Sequence, residues 1–596
     1  MIVRCRFLGA APPKITMNSL ASGRTPTPPG RARTPLYTLL AMICLTGCPY
    51  TEGCEALPDE SAEGPIDPEP VEAGRPSHHY DSGFVPDAPL LDGAAQAGEI
   101  DFGDELDDGP ALSTLSCPAL AMPRVAAATV YVDANATGAE AGKKVAPYHT
   151  VGRAFESAGP DGIVWIAAGM YRENLVIPDK ALLVLGGFKP GFGARTNACG
   201  TILEAANAAQ PVLSADASVS SFAMEGLSVR RGARGLSVAG DFTAAATFTV
   251  ARCVFSENGD TSAIGGALSL DNVNARIFQS VVRDNRAAKG AALAASGNVT
   301  LTVDQNLFDR NLGYSDHGGG LYLSAKSTKL VRNTFRANAT GVAVPGGWGG
   351  AVIVYKSGAQ AASADFAFNV FTENVAGIGG AVFVDDGANV TMSHDLLYRN
   401  RAYPENGVVR GPALYVDGTG LGPAGGSTLV GEFLTVVDNR YDNNGAPASA
   451  SVGGNVYVEG FSKVSFTSSI FWNNGDRAFY AAPNQNQIAV KSSISPSQCT
   501  SSDNKGWTTA SSTTCKVGAG VFLPPAIYFV DEAGADFHEK STAGHYSSGL
   551  WVMDSVTSPA IDQGDPAASV GHESMPNGGR ANLGVFAGTK EASKSP

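Results

Sequence analysis

Asp385, Asp417 and Glu459 stand at one place in three successive repeats, each two residues after an aromatic: Phe383, Tyr415 and Tyr457. If the repeats stack as strands, neighbours lie about 4.8 Å apart, and the carboxylates form a row beside a row of rings. Rings with nearby carboxylates are what a sugar-binding groove needs. Carboxylate pairs about 5 Å apart can also support glycosidic chemistry, one of them as general acid.

The expected outward column is Ser269, Ala294, Tyr322, Ile353, Phe383, Tyr415 and Tyr457. Two residues on come Asp271, Ser296, Ser324, Tyr355, Asp385, Asp417 and Glu459. From these, Tyr322, Phe383, Asp385, Tyr415, Asp417, Tyr457 and Glu459 form the candidate ligand-binding face. The same residues also have a plain structural reading. Outward aromatics on stacked coils favour sheet packing by themselves, and acidic residues at strand ends commonly face water. A carboxylate row repels itself unless a cation sits in it, so Ca2+ is the one cofactor it could take. Calcium-assisted lyase chemistry would also need an Arg or Lys base. Arg399 and Arg410 are the nearest, but both fall beside turns and are expected to face solvent. Asp316-His317 and His394-Asp395 are weak dyad signals, because adjacent strand residues point to opposite faces. No catalytic residue is assigned.

The elements that must position this face come from a repeat with two marks. The first is an apolar residue, two variable residues and Asn, ending at Asn258, Asn285, Asn311, Asn338, Asn374, Asn400, Asn439 and Asn474, with spacings of 27, 26, 27, 36, 26, 39 and 35. The second is a small-residue turn feeding a strand, as at Gly265-Gly266-Ala267, Gly290-Ala291-Ala292, Gly349-Gly350-Ala351, Gly379-Gly380-Ala381 and Gly411-Pro412-Ala413. A period near 26 with insertions of about ten is too short for a propeller blade. Asn tolerates a left-handed bend and can bond the Asn of the next coil, while Gly reaches backbone angles closed to other residues. After each Gly turn, alternate residues such as Leu268 and Leu270, Val382 and Val384, or Val456 and Val458 should point inward. The pattern predicts an all-β, right-handed parallel β-helix over 125–530.

Upstream, Val130-Tyr131-Val132 reads as a strand, and 147–158 as a helix with Val151, Ala154, Phe155 and Ala158 on one face. Strands Ile163–Ile166 and Leu182–Leu185 follow. Tyr131-Val132-Asp133, Gly138, Ile166, Gly169, Tyr171 and Glu173 resemble the opening of pectin-lyase-like β-helix proteins, which implies a short N-terminal helix capping the first coil. The paired marks over roughly 255–474 resemble the repeats of chlamydial polymorphic outer-membrane proteins, which implies an adhesive surface role. Ser558-Pro559-Ala560-Ile561-Asp562-Gln563-Gly564 and Pro576-Asn577-Gly578-Gly579-Arg580 resemble the closing, choice-of-anchor segment of bacterial β-helix proteins. That segment is placed at 531–596 and implies no activity.

Arg24, Arg31 and Arg33 precede an apolar run, Leu36–Leu45, too short for a stable span. The run ends in Leu45-Thr46-Gly47-Cys48, which resembles the bacterial lipobox. Residues 1–47 therefore read as a signal peptide, with Met17 an alternative start, and Cys48 as the lipidated residue; an ordinary signal peptide is the other reading. Residues 48–115 are Pro-rich and acidic, with Arg75 the one basic residue after Cys48, and read as a disordered tether. Asp101, Asp104, Asp107 and Asp108 are read as solvated, not as a Ca2+ site, and His78-His79 as inert. Cys499 and Cys515 flank a Ser/Thr-rich loop and are the expected disulfide; no C-x-x-C pair suggests zinc. A net charge of −14 argues against a nucleic-acid partner.

These features point to a lipid-anchored protein of the cell envelope, at the outer membrane and either surface-exposed or periplasmic. Its expected partners are the membrane, through the lipid, and a polysaccharide or another cell surface. The favoured function is non-catalytic adhesion or glycan binding. The alternative is a polysaccharide lyase or glycoside hydrolase.

Overall fold

A computed structural model describes residues 117–596, apart from 124–127 and several short stretches, of which 442–454 and 502–514 are the longest. The signal segment, Cys48, Cys54 and the acidic tether lie outside the described residues.

The alternating strands stack in parallel into three faces of a right-handed β-helix. Each coil runs from the Gly turn into a first-face strand, then a second-face strand, then a third-face strand carrying the apolar residue of the Asn mark. On the first face, Leu236–Ala239, Leu268–Asp271, Val352–Tyr355, Val382–Asp385, Leu414–Val416 and Val456–Val458 belong to one stack. The second face runs from Val130–Val132 to Cys515–Val517. The third has eleven strands, from Gly169–Arg172 to Ile470–Trp472. The inward first-face pairs fall as the alternation predicts, with Leu268, Val352, Val382, Leu414 and Val456 fully buried. On the third face the apolar residue of the mark points into the core, and three successive rings stack there: Phe308, Phe335 and Phe371 have centroids 4.9 and 4.8 Å apart.

The Asn mark is a buried hydrogen-bond ladder. Each Asn amide, from Asn258 to Asn439, donates to the side-chain oxygen of the next coil's Asn at 2.9–3.1 Å. The left-handed bend, however, falls one residue earlier, at Glu257, Asp284, Arg310, Ala337, Glu373, Arg399, Asp438 and Asn473. Asn is therefore selected for its amide and not for its backbone freedom. Gly265, Gly290, Gly318, Gly349, Gly379 and Gly411 do adopt positive φ, as the turn mark requires.

The first coil is covered by a seven-residue helix, Val151–Ser157, shorter than the pattern suggests, with Val151, Ala154 and Phe155 buried. Its free N-terminal amides are met by a side chain from the coil beneath. Val151 and Gly152 donate to the two oxygens of Glu173 at 2.7 and 2.8 Å. Cys117 and Cys199 form a disulfide that the sequence reading did not select. The Cys499 and Cys515 side chains lie outside those described, and Cys253 is buried and free.

The closing segment folds back along the outer side of the third face. It begins with a hairpin pairing Phe529–Asp531 with Asp536–Glu539. Phe537, Ala560, Leu583, Val585 and Phe586 pack on Val370, Leu396, Tyr398, Val437 and Ile470. Backbone contacts fix the register: Val585 N donates to Thr435 Oγ1 at 2.9 Å and Gly584 N to Ser468 O at 2.9 Å.

Candidate functional site

The seven residues chosen from the sequence are brought together in register. Tyr322 pairs with Ile353, Ile353 with Phe383, Phe383 with Tyr415, and Tyr415 with Tyr457. Tyr355 pairs with Asp385. Asp417 and Glu459 follow at the same edge, each amide donating to the preceding coil, at 2.8 and 2.9 Å.

The ring column is not the open platform that alternation implies. Ile353, Phe383, Tyr415 and Tyr457 are buried, and Asp385 is only 6% exposed. The cause lies in the Gly turn. The positive φ of the first glycine hooks the residue before it back over the strand, so His317, Trp348, Ile378 and Arg410 form a second, bridged column on top of the first. Ile378 and Trp348 pack on the rings, with Trp348 and Phe383 centroids 5.7 Å apart. The buried rings stack on one another: Phe383 on Tyr415 at 4.8 Å, Tyr415 on Tyr457 at 5.3 Å and Tyr457 on Tyr480 at 4.7 Å. Among the described residues of this column, open ring surface remains at the ends, on Tyr322, Trp348 and Tyr355 and on Tyr480.

Arg410 is also not the solvent-facing residue expected. It is half-buried over the Tyr457 ring, 6.0 Å from the centroid, donates to the Tyr457 hydroxyl, and acts electrostatically on Asp417. Arg399 instead holds the closing segment, donating to the carbonyls of Glu532 and Ala533 at 3.0 and 2.7 Å. Trp348 was missed; its only signal was its place directly before Gly349-Gly350.

The carboxylates have local partners as well as each other. Asp385 Oδ1 accepts from Asp386 N and Asp417 Oδ1 from Gly418 N, both at 2.7 Å, and the Tyr415 hydroxyl donates to Glu459. Desolvation, then the charge of Asp386 and Asp417, pushes Asp385 up to about 7. Desolvation and Glu459 push Asp417 to about 7. Near neutrality the row is thus partly protonated, which relieves its self-repulsion. Among the described residues, no three His, Cys, Asp or Glu side chains converge as ligands for a metal ion.

The His394-Asp395 pair lies not within a strand, as expected, but at the corner between Asn389–Ser393 and Leu396–Tyr398, where the positive φ of His394 turns the two side chains apart. His394 stacks between Phe368 and Phe433, and its Nε2 lies 2.9 Å from Ala587 O of the closing segment. Asp395 turns into the core. Of the other pair, Asp316 lies outside the described residues, while His317 packs at 4.7 Å on Trp348.

No family model matches the chain, and no curated protein matches it. Solved structures that resemble it include the catalytic unit of a thermostable GH87 alpha-1,3-glucanase from Streptomyces thermodiastaticus strain HF3-3. That likeness has a TM-score of 0.32 at 13% identity and covers 69% of this chain and 71% of that one. Pectate lyase Pel9A gives 0.28 at 13% identity, covering 77% and 95%. Pectin methylesterase from carrot gives 0.21 at 12%, covering 66% and 90%. At these values, activity has to be argued from the chain's own side chains.

Proposed function

We propose that this chain is an exported, lipid-anchored envelope protein that binds saccharide at the carboxylate edge of its first face without cleaving it. The observation supporting this is the register-aligned run of Tyr355, Asp385, Asp417 and Glu459, with partly open rings of Tyr322, Trp348 and Tyr480 at its two ends. Open rings receive the apolar faces of sugars, and carboxylates accept from their hydroxyls. The buried rings between them make the edge rigid, so little ordering is needed on binding. The lipobox-like Leu45–Cys48 and the acidic tether support anchorage with the body held away from the membrane surface.

Hydrolysis is the second reading, favoured by one observation. Asp385 and Asp417 sit one coil apart, both pushed up to about 7. One can hold a proton while its neighbour is ionised, the division of roles that a retaining glycosidase uses at a carboxyl separation of about 5 Å.

The deciding experiment incubates the full chain with a polysaccharide panel, with and without Ca2+, and measures both retention and new chain ends. Retention without new ends, lost in an Asp417→Ala, Glu459→Ala double variant, is the expected result. New ends that vanish in Asp385→Ala or Asp417→Ala would replace binding by hydrolysis. No retention of any polysaccharide would sink both readings. Separately, Cys48→Ser is expected to move the protein from the membrane to the soluble fraction; an unchanged distribution would overturn the anchor.

A further inference from the structure

Two poorly satisfied carboxyl groups lie in the closing segment, away from the saccharide edge. Glu539 is fully buried, and neither carboxyl oxygen has a hydrogen-bond partner. Glu573 is also buried: its Oε1 accepts from Asn582 N and Gly588 N at 2.9 and 2.8 Å, but its Oε2 has no partner. An ionised carboxylate in such a place is not fully compensated for its lost water.

The surroundings explain why the two act on the clasp. From Glu539's own strand, Asp536 and His538 face it; from the element packed against it comes Glu573. The His538 ring lies 2.7 Å from Asp536 and 3.4 Å from Glu591, and stacks at 3.6 Å on Phe586. Phe586 is one of the residues packed on the third face. Asp562 faces Glu573 and accepts from Ser595 Oγ at 2.7 Å. The backbone carbonyl of Glu539 accepts from Ser593 Oγ. A second hairpin, His545–Ser547 with Leu550–Val552, contributes His545, paired with Asp554 at 2.7 Å. From the helix, the cations are Arg399, on the carbonyls of Glu532 and Ala533, and Lys491, paired with Asp565. Neither is bonded to Glu539 or Glu573.

We propose that Glu539 and Glu573 form a proton-dependent latch, closed when both are neutral, which holds the closing segment on the third face and releases it in alkaline solution. Burial holds Glu539 up near 8 and Glu573 near 7. A carboxyl raised in the folded state binds more protons there than in the open state. Closure therefore weakens as pH rises from the ordinary carboxyl range through those values, by up to tenfold per pH unit for each group. Burial alone would lower His538, but Asp536 and Glu591 hold it up near 9. A base raised in this way stabilises below its ordinary value and loses that contribution as pH rises, so it works in the same direction. Asp536 is held low by His538, so its contribution to closure is constant across this range and is lost only toward acid.

Native-state hydrogen exchange on the full chain tests this. The probes are the amides of Gly584 and Val585, which bond Ser468 and Thr435, with the ladder amide of Asn311 as internal control. After correction for intrinsic rates, protection of the amides of Gly584 and Val585 is expected to fall at least tenfold further between pH 6 and 8.5 than that of Asn311. Glu539→Gln should flatten that slope. Constant clasp protection in the wild type overturns the latch even if the variant fails to fold, and an unchanged slope in both Glu539→Gln and Glu573→Gln overturns the assignment. Neither outcome bears on saccharide binding.

Discussion

Asp395 shows most sharply what one residue can do to this architecture. A second ladder runs between the second and third faces, through Asn306, Asn333 and Asn369, linked at 3.0 Å. Asp395 takes the next place and accepts from the Asn369 amide at 2.9 Å. Its other oxygen is buried without a partner, and burial pushes the group up to about 8. The wild type should therefore lose stability as pH rises from about 4 toward 8, because the folded state holds a proton that the unfolded state has released. Asn in that place cannot ionise, and its amide would fall where the ladder's other amides bond the preceding coil, here at Phe366 O by register. Asp395→Asn is expected to stabilise by about 1–3 kcal/mol at pH 8 and to change little near pH 4. Thermal unfolding at the two pH values checks it; equal or lower stability at pH 8 would refute it. This ladder was not read from the sequence, because its place is filled by Ser280, Asn306, Asn333, Asn369 and Asp395, is interrupted by Leu434, and resumes with Ser469 and Ser493, whose side chains, like the first five, accept a backbone N–H of the preceding coil. The capping residues share a role but not a residue type, so no single-letter mark runs through the series.

At the scale of elements, the strands and the period were legible because both follow from side-chain alternation and turn chemistry. The first-face pairing is the one expected, down to Tyr355 beside Asp385. What alternation could not show is the return of the turn over the strand. It predicts which side a ring points to, whereas burial of Phe383 and Tyr415 depends on Trp348, one coil earlier in the chain, and on Ile378, which stands just before a Gly hook. The capping helix obeys the same lesson. Its apolar face was visible in Val151, Ala154 and Phe155, but its N-terminus carries no side-chain cap of its own. Glu173 supplies the acceptor from the next coil, in the position that the opening motif marks with Glu. Glu173→Ala is expected to destabilise the helix by about 1 kcal/mol. Exchange of the Val151–Ser157 amides should speed up several-fold, with the Asn ladder amides unchanged. Unaltered exchange would mean that the helix is held by its apolar face alone.

For the whole molecule, the three faces have different tasks. The first carries the candidate saccharide edge, and the third is covered from outside. Near its start, Ala198 and the disulfide-bonded Cys199 lie over Val254, Val281 and Leu307. Farther along, the closing segment lies over Val370, Leu396, Tyr398, Val437 and Ile470. A third face left bare would present these residues as a continuous apolar strip on a rigid solenoid, and such strips associate. The coils themselves draw their stability from neighbours above and below and from the shared core. Removal of 527–596 is therefore expected to leave the β-rich far-UV spectrum largely intact while the protein binds an apolar dye and forms oligomers in size-exclusion chromatography. Replacing Val370, Leu396 and Ile470 with Ser in the shortened chain should reduce both signals, since it removes the strip and not the ladder. A shortened chain that stays monomeric and dye-free would show that the strip is closed by the coils alone, and that the closing segment covers a surface with no tendency to associate.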